Sequence, residues 1–264
     1  MTDVLLIGCG RMGGALLKGW RESGAVGRAI VVDPAMPSLD DVPVVASSLA
    51  EVPDPLPKTI LLAVKPQMLD EVMPGLAERL PDGALVISIA AGKPIAYLAG
   101  RLGKPAAIVR TMPNTPAAIG RGITVCCAGP GVTAAERDVA DRLMKAVGDV
   151  AWTEDEALMH AVTAVSGSGP AYVFNLIEAL RDAAIAAGLP PELAAKLARA
   201  TVTGAGELAH QSPDTPEKLR INVTSPGGTT AAALAVLMGE KGLTDLMTRA
   251  VAAATARSEE LAKG

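Results

Sequence analysis

Short apolar runs alternate with helical patterns over the first 150 or so residues. Residues 3–8, 29–33, 59–64, 84–89, 106–110 and 122–128 are rich in Val, Ile, Leu and Ala. Near-continuous apolar runs of that length read as strands buried on both faces. Between several of them lie helical stretches, such as 12–23, ending near Gly24, and 68–80, stopped by Pro81. Strand–helix alternation predicts an α/β domain with a doubly wound, mostly parallel sheet and right-handed crossovers. The segment 34–57 breaks the rhythm. Six prolines fall within it, so an irregular or shortened connection is expected there instead of a crossover helix.

From Glu154 onward the strand signal disappears. Residues 154–165, 170–187, 191–211, 215–222, 228–239 and 243–262 read as helices. The second has Pro170 in its first turn and Gly188 past its end, the usual asymmetry of helix punctuation. In the third, Leu193, Leu197, Ala200, Gly204 and Leu208 form one stripe at helical spacing, with small residues that let another helix approach. The pattern therefore predicts two domains, 1–153 and 154–264, without a flexible linker.

Composition narrows the function classes. The 264 residues are half apolar, only five are aromatic, and the net charge is −4. No basic stripe marks a nucleic-acid footprint. The first apolar run follows Asp3, lacks a positive flank and is too short for a signal peptide or a membrane span. Cys126 and Cys127, as sequence neighbours on a strand, point to opposite faces and read as small apolar packing residues. No zinc-ligand spacing occurs, and a reduced, cytoplasmic protein with no membrane or nucleic-acid partner is expected.

Two segments carry candidate chemistry. Gly8-Cys9-Gly10-Arg11-Met12-Gly13 stands after a strand and opens a helix. There the first glycine permits a tight turn, the second lets a pyrophosphate reach the backbone, and the third allows close helix–strand packing. The helix N-terminus adds free N–H groups and a positive dipole end. Asp33 ends the second strand, where an acidic group accepts ribose hydroxyls of NAD and repels the extra phosphate of NADP; it also reads as the start of an Asp-Pro turn. Arg11 and Arg28 are cations placed to offset that repulsion. Ala63-Val64-Lys65-Pro66-Gln67 and Met112-Pro113-Asn114-Thr115-Pro116 follow two further strands, on the side where such sheets bind ligands. Lys65 is either a donor to cofactor hydroxyls or a solvated lysine, and the Asn114 amide is within a fixed loop able to reach the nicotinamide or its ribose. The second segment is Thr224-Ser225-Pro226-Gly227-Gly228-Thr229-Thr230. Gly227 and Gly228 bare consecutive N–H groups at a helix start, and Ser225, Thr229 and Thr230 add hydroxyls, a receptor for a small carboxylate. The alternative is a Ser-Pro turn with a threonine helix cap. Ser166-Gly167-Ser168-Gly169-Pro170 opens another helix, with Ser168 at the N-cap position.

These motifs, with Ser166 through Tyr172 between the last two, occur in an order that resembles the pyrroline-5-carboxylate reductase family over essentially the whole chain. The 224–230 motif is the most specific. The resemblance implies a Rossmann-like domain followed by an all-α dimerisation domain, and NADPH- or NADH-dependent reduction of 1-pyrroline-5-carboxylate to L-proline. It gives Thr230 the ring nitrogen, and Gly228, Thr229 and Thr230 the substrate carboxylate. It also implies a homodimer or a larger assembly built on dimers, with the active site formed between subunits. Many relatives carry an Asn-Arg or Ser-Arg pair where this chain has Asp33-Pro34, so the family leans to NADPH and Asp33 leans to NADH. Two alternatives remain at this level. A related imine or β-hydroxyacid reductase of the latter kind would need a lysine in the second domain, and Lys196 and Lys218 lie in no matching motif. A non-catalytic nicotinamide-binding regulator would have no use for the 224–230 segment.

Overall fold

A computed structural model describes residues 2–35 and 44–263. Its strands are β1 (Thr2–Ile7), β2 (Val26–Val32), β3 (Val44–Ala46), β4 (Thr59–Leu62), β5 (Leu85–Ser88), β6 (Ala107–Met112), β7 (Gly122–Ala128) and β8 (Gly148–Thr153). They form one sheet in the order β3-β2-β1-β4-β5-β6-β7-β8. Every neighbouring pair is parallel except β6 and β7. The chain leaves β1 in one direction for β2 and β3, then restarts on the other side at β4. That reversal opens a crevice beyond the carboxyl ends of β1 and β4.

Both faces of the sheet are covered, which is why its strands read as unbroken apolar runs. Val4, Leu6 and Val31 face α1 (Arg11–Ser23) and α4 (Ala134–Lys145), meeting Leu16, Leu17, Trp20, Leu143 and Met144. Leu5, Ile7, Ile30 and Ile60 face the other way, toward Leu69, Met73 and Leu76 of α2 (Leu69–Arg79) and Leu98 of α3 (Ile95–Leu102). Trp20 is fully buried and its indole N–H donates to the Leu143 carbonyl at 2.8 Å, tying α1 to α4.

Four elements exceed what the apolar pattern announced: β3, β8, α3 and α4. β8 lies at the sheet edge and is only half-buried, so its alternation is weak. In α4 only Ala140, Leu143 and Met144 are buried, and its polar surface hides the stripe. Of the proline-rich segment, residues 36–43 lie outside the described residues. The remainder supplies β3, a 3-10 turn at Leu49–Glu51 and the approach to β4.

The described chain packs as two compact units, residues up to 167 together with those from 254, and residues 168–253. Strand structure ends at Thr153. The first unit continues through α5 (Met159–Val162) and a π-helical turn at Thr163–Gly167. It also takes in the end of α10 (Leu243–Lys263), where buried Ser258 holds its Oγ 3.0 Å from Nδ1 of His160.

The second unit is helical, with α6 (Gly169–Ala186), α7 (Pro191–Gln211), α8 (Pro216–Asn222), α9 (Thr229–Leu237) and most of α10. Gly188 has φ +96° and closes α6 through left-handed backbone, as its position predicted. Packing is thin here. Of α6 to α9, α7 alone has fully buried residues, Ala194 and Ala198. Phe174, Leu197, Leu208 and Val236 are 61%, 45%, 57% and 76% exposed. Apolar faces of this extent are unusual on an isolated chain. Among the described residues no helix is long and apolar enough to cross a membrane.

Candidate active site

Register builds the candidate dinucleotide site. Ile7 pairs with Val32 on one side and with Leu62 on the other, so β1, β2 and β4 end level. Gly8, Asp33 and Ala63 therefore stand side by side where the strands stop. Gly8 has φ +91°, donates its N–H to the Val32 carbonyl at 2.8 Å, and has no room for a Cβ, which would meet Ala63 and Val64 backbone at 2.8 Å. A Cβ on Gly13, in the first turn of α1, would collide with the Gly8 carbonyl and stand 3.2 Å from the Ala63 Cβ. Gly10 occupies the N-cap of α1 and faces open space, and no side chain caps the helix. The N–H groups of Arg11, Met12 and Gly13 thus have no intrahelical acceptor. Met12 packs its side chain on the core and Arg11 is exposed. A Cβ at Gly8 or Gly13 would force the turn away from the end of β4, while Gly10 leaves the space over the bare N–H groups open, so the turn fits a pyrophosphate.

Of the roles foreseen for Asp33, the turn is the one seen directly. Its Oδ1 accepts the Ala35 N–H at 2.9 Å, which starts the Asp-Pro turn. Its Oδ2 accepts the Cys9 N–H at 2.6 Å, which fastens the glycine turn to the end of β2. Each oxygen keeps a second lone pair for a hydroxyl donor. Burial first, and the Asp33 charge second, push the Cys9 thiol up, so Cys9 is a neutral packing residue. Arg28 does not reach this point. It pairs with Asp3 at 3.1 Å, and five residues of strand, about 16 Å, separate it from Asp33. Arg11 is the cation left at the turn.

Beyond β4, Lys65 is exposed and precedes the 3-10 turn Pro66–Met68, its carbonyl accepting the Met68 N–H at 2.9 Å. Beyond β6, Asn114 is buried. Its Oδ1 accepts the Ile123 N–H at 2.9 Å, so the amide oxygen locks the loop to β7. Met112, at the end of β6, presses its Cε into the space left by the missing side chain of Gly167. The Met112–Pro116 loop and the π turn therefore meet inside the first unit. Ser166 donates to the Val162 carbonyl at 3.0 Å, and Ser168 occupies the N-cap of α6 without a side-chain cap bond.

A separate anion-binding candidate lies in the helical unit. Ser225-Pro226-Gly227-Gly228 forms a tight turn, with the Gly228 N–H donating to the Ser225 carbonyl at 3.0 Å and Gly227 at φ +69°. Proline second and left-handed glycine third are what a type II turn requires. Gly228, not a threonine, takes the N-cap of α9, and no side chain caps that helix. The threonine-cap alternative is thereby excluded. Thr230 is half-buried, while Ser225, Gly227 and Thr229 are exposed. The N–H groups of Thr229, Thr230 and Ala231 have no intrahelical acceptor, and Thr229 and Thr230 place their hydroxyls on that same first turn. The arrangement can hold a carboxylate and donate one further hydrogen bond. Among the described residues no group of three potential ligands is placed to hold a metal ion, and all three cysteines are free and buried.

Sequence reasoning passed over two features. Arg110, 4% exposed on β6, donates to Glu156 at 2.9 Å. The π turn at 163–167 has no propensity signature; its signal lay in the crowding of Gly167 on Met112, visible only in three dimensions.

Residues 156–261 match a family model for pyrroline-5-carboxylate reductase dimerisation, and residues 3–92 match one for NADP oxidoreductase coenzyme F420-dependent. The chain is 40% identical to the pyrroline-5-carboxylate reductase of Pseudomonas aeruginosa, over 98% of its own length and 97% of the relative's. It is 36% identical to that of Pisum sativum, over 97% and 94%. Its fold superposes on a pyrroline-5-carboxylate reductase from Coxiella burnetii with a TM-score of 0.91 at 34% identity, covering 100% and 99% of the two chains. The enzyme from Plasmodium falciparum, solved with NADP bound, gives 0.80 at 30% identity, covering 99% and 98%. This chain belongs to the pyrroline-5-carboxylate reductase family, the NAD(P)H-dependent oxidoreductases that act on a CH–NH group.

Proposed function

We propose that residues 1–153 bind the dinucleotide and residues 154–264 bind 1-pyrroline-5-carboxylate and pair subunits, and that the protein reduces this imine to L-proline. The observation that carries the assignment of roles is the pair of uncapped helix starts, α1 behind Gly8-Gly10-Gly13 and α9 behind Gly227-Gly228. One suits a pyrophosphate and the other a carboxylate. The nicotinamide supplies a hydride to the imine carbon when bound.

Each residue then has a stated task. The Arg11, Met12 and Gly13 N–H groups hold the pyrophosphate. Asp33 receives ribose hydroxyls, and Ala63, Val64, Lys65 and Pro66 line the cofactor beyond β4. Asn114 acts through the loop it locks. Gly228, Thr229 and Thr230 hold the substrate carboxylate, with Ser225 and Gly227 shaping the turn. The Thr230 hydroxyl hydrogen-bonds the ring nitrogen. A threonine is too weak an acid to protonate it alone, so the proton is already on the imine or arrives through water. Rate enhancement then rests on orientation and fixed dipoles. Asp33 favours NADH, and Arg11 tempers that preference. The subunits form a homodimer or a larger assembly built on dimers, which covers the exposed faces of α6, α7 and α9.

The test is oxidation of NADH and NADPH, measured in parallel on adding pyrroline-5-carboxylate, with proline quantified. Proline equal to the nicotinamide consumed is the expected result, with a higher kcat/KM for NADH. Cofactor binding without turnover would move the assignment to a non-catalytic regulator.

A further inference from the structure

The pair of buried Arg110 and half-buried Glu156 sits outside every motif already given a task, and it joins three segments at the ligand end of the sheet. Arg110 lies on β6 one layer beneath Met112, on the same face of the strand, since side chains two apart share a face. Its Nη1 donates to Glu156 Oε1 at 2.9 Å. The same oxygen accepts the Ile95 N–H at 2.8 Å, at the first residue of α3. Glu156 itself opens the 3-10 turn that leads from β8 into α5 and the π turn. One carboxylate therefore registers the β5–α3 connection, β6 and the 156–167 segment against each other. Cys127, cross-strand partner of Arg110, does not compete for the charge: burial and then Glu156 push its thiol up, so it stays neutral. Burying a guanidinium in this way gains little net stability over an apolar pair of the same volume. Its special property is geometric, because a fork and a carboxylate fix distance and angle where methylenes slide.

We propose that Arg110 and Glu156 are positioning residues for hydride transfer. By fixing β6 against the 156–167 segment, they set where Met112 meets Gly167 and hence where the Met112–Pro116 loop stands beside the nicotinamide. The inference rests on the proposed cofactor role of that loop. A pair that only stabilised the fold would change melting temperature and leave the turnover of folded enzyme alone.

The experiment compares the full-length wild type with Glu156→Gln and with the apolar double variant Arg110→Met/Glu156→Leu. Measured are melting temperature, NADH dissociation constant by fluorescence titration, and kcat at saturating cofactor and imine. Glu156→Gln keeps an acceptor for Ile95 but strands the guanidinium, and the double variant removes both charges. In both, kcat is expected to fall about tenfold, with the NADH dissociation constant within about twofold of wild type. The double variant is expected to recover the melting temperature that Glu156→Gln loses, without recovering kcat. Full kcat in the double variant, or losses in kcat that track the folded fraction, would overturn the inference. An inactive wild type that binds NADH would instead overturn the proposed reaction.

Discussion

At the scale of single residues, the site is made by what is missing as much as by what is present. Gly13 tolerates no side chain, because its Cβ would collide with the Gly8 carbonyl and sit against Ala63. Gly13→Val is expected to abolish nicotinamide binding, measured by fluorescence titration, while circular dichroism retains the helical signal of the second unit. Thr230 carries the opposite expectation. Thr230→Ala removes one hydroxyl from the first turn of α9, so kcat should fall about a hundredfold while cofactor affinity stays within about twofold. Equal losses in both would remove Thr230 from the chemical step. Asp33 is the subtler case, because one carboxylate serves the turn and the ribose together. Asp33→Asn leaves one acceptor oxygen for two backbone N–H groups, so the KM for NADH should rise severalfold even as the ratio of the two cofactors shifts toward NADPH. A variant that gained NADPH activity with NADH unchanged would show that the two tasks are separable.

At the scale of elements, stability concentrates where helices meet the sheet. Trp20 joins α1 to α4 and is fully buried, so Trp20→Ala is expected to cost about 3–5 kcal/mol in chemical denaturation. α4 also begins with a complete capping box: Thr133 accepts from the Glu136 N–H, and Glu136 accepts from the Thr133 N–H at 2.7 Å. β7 sets an alkaline limit. Burial pushes the Cys126 thiol from 9.0 to about 12. A folded value above the unfolded one means this stability is complete below pH 9 and is lost as pH rises toward 12. Unfolding free energy should therefore decline between pH 9 and 11, and the decline should shrink in Cys126→Ala.

At the scale of the whole molecule, the second unit is unfinished as a single chain. Its helices leave Phe174, Leu197 and Val236 exposed, and the family dimerisation segment covers this region. Leu197→Arg is expected to lower the mass found by light scattering and to reduce activity with it; a variant of unchanged mass would place the contact on another face. Much of this was legible beforehand. The apolar runs gave β1, β2, β4, β5, β6 and β7 because burial on both faces leaves no polar alternation to obscure them. The glycine spacing and Ser225–Thr230 announced helix starts because bare backbone and short hydroxyls have few other uses in a row. β8 and α4 escaped because a half-buried edge strand and a mostly polar helix carry little hydrophobic contrast. What the sequence alone determined were local matters of propensity, punctuation and the residues offered at each helix start. What tertiary structure decided were pairings between distant segments: Asp33 with Cys9, Asn114 with Ile123, Met112 with Gly167, and Arg110 with Glu156. The physical reason is that a hydrogen bond or a contact is a relation between two places, and only the folded chain brings those places together.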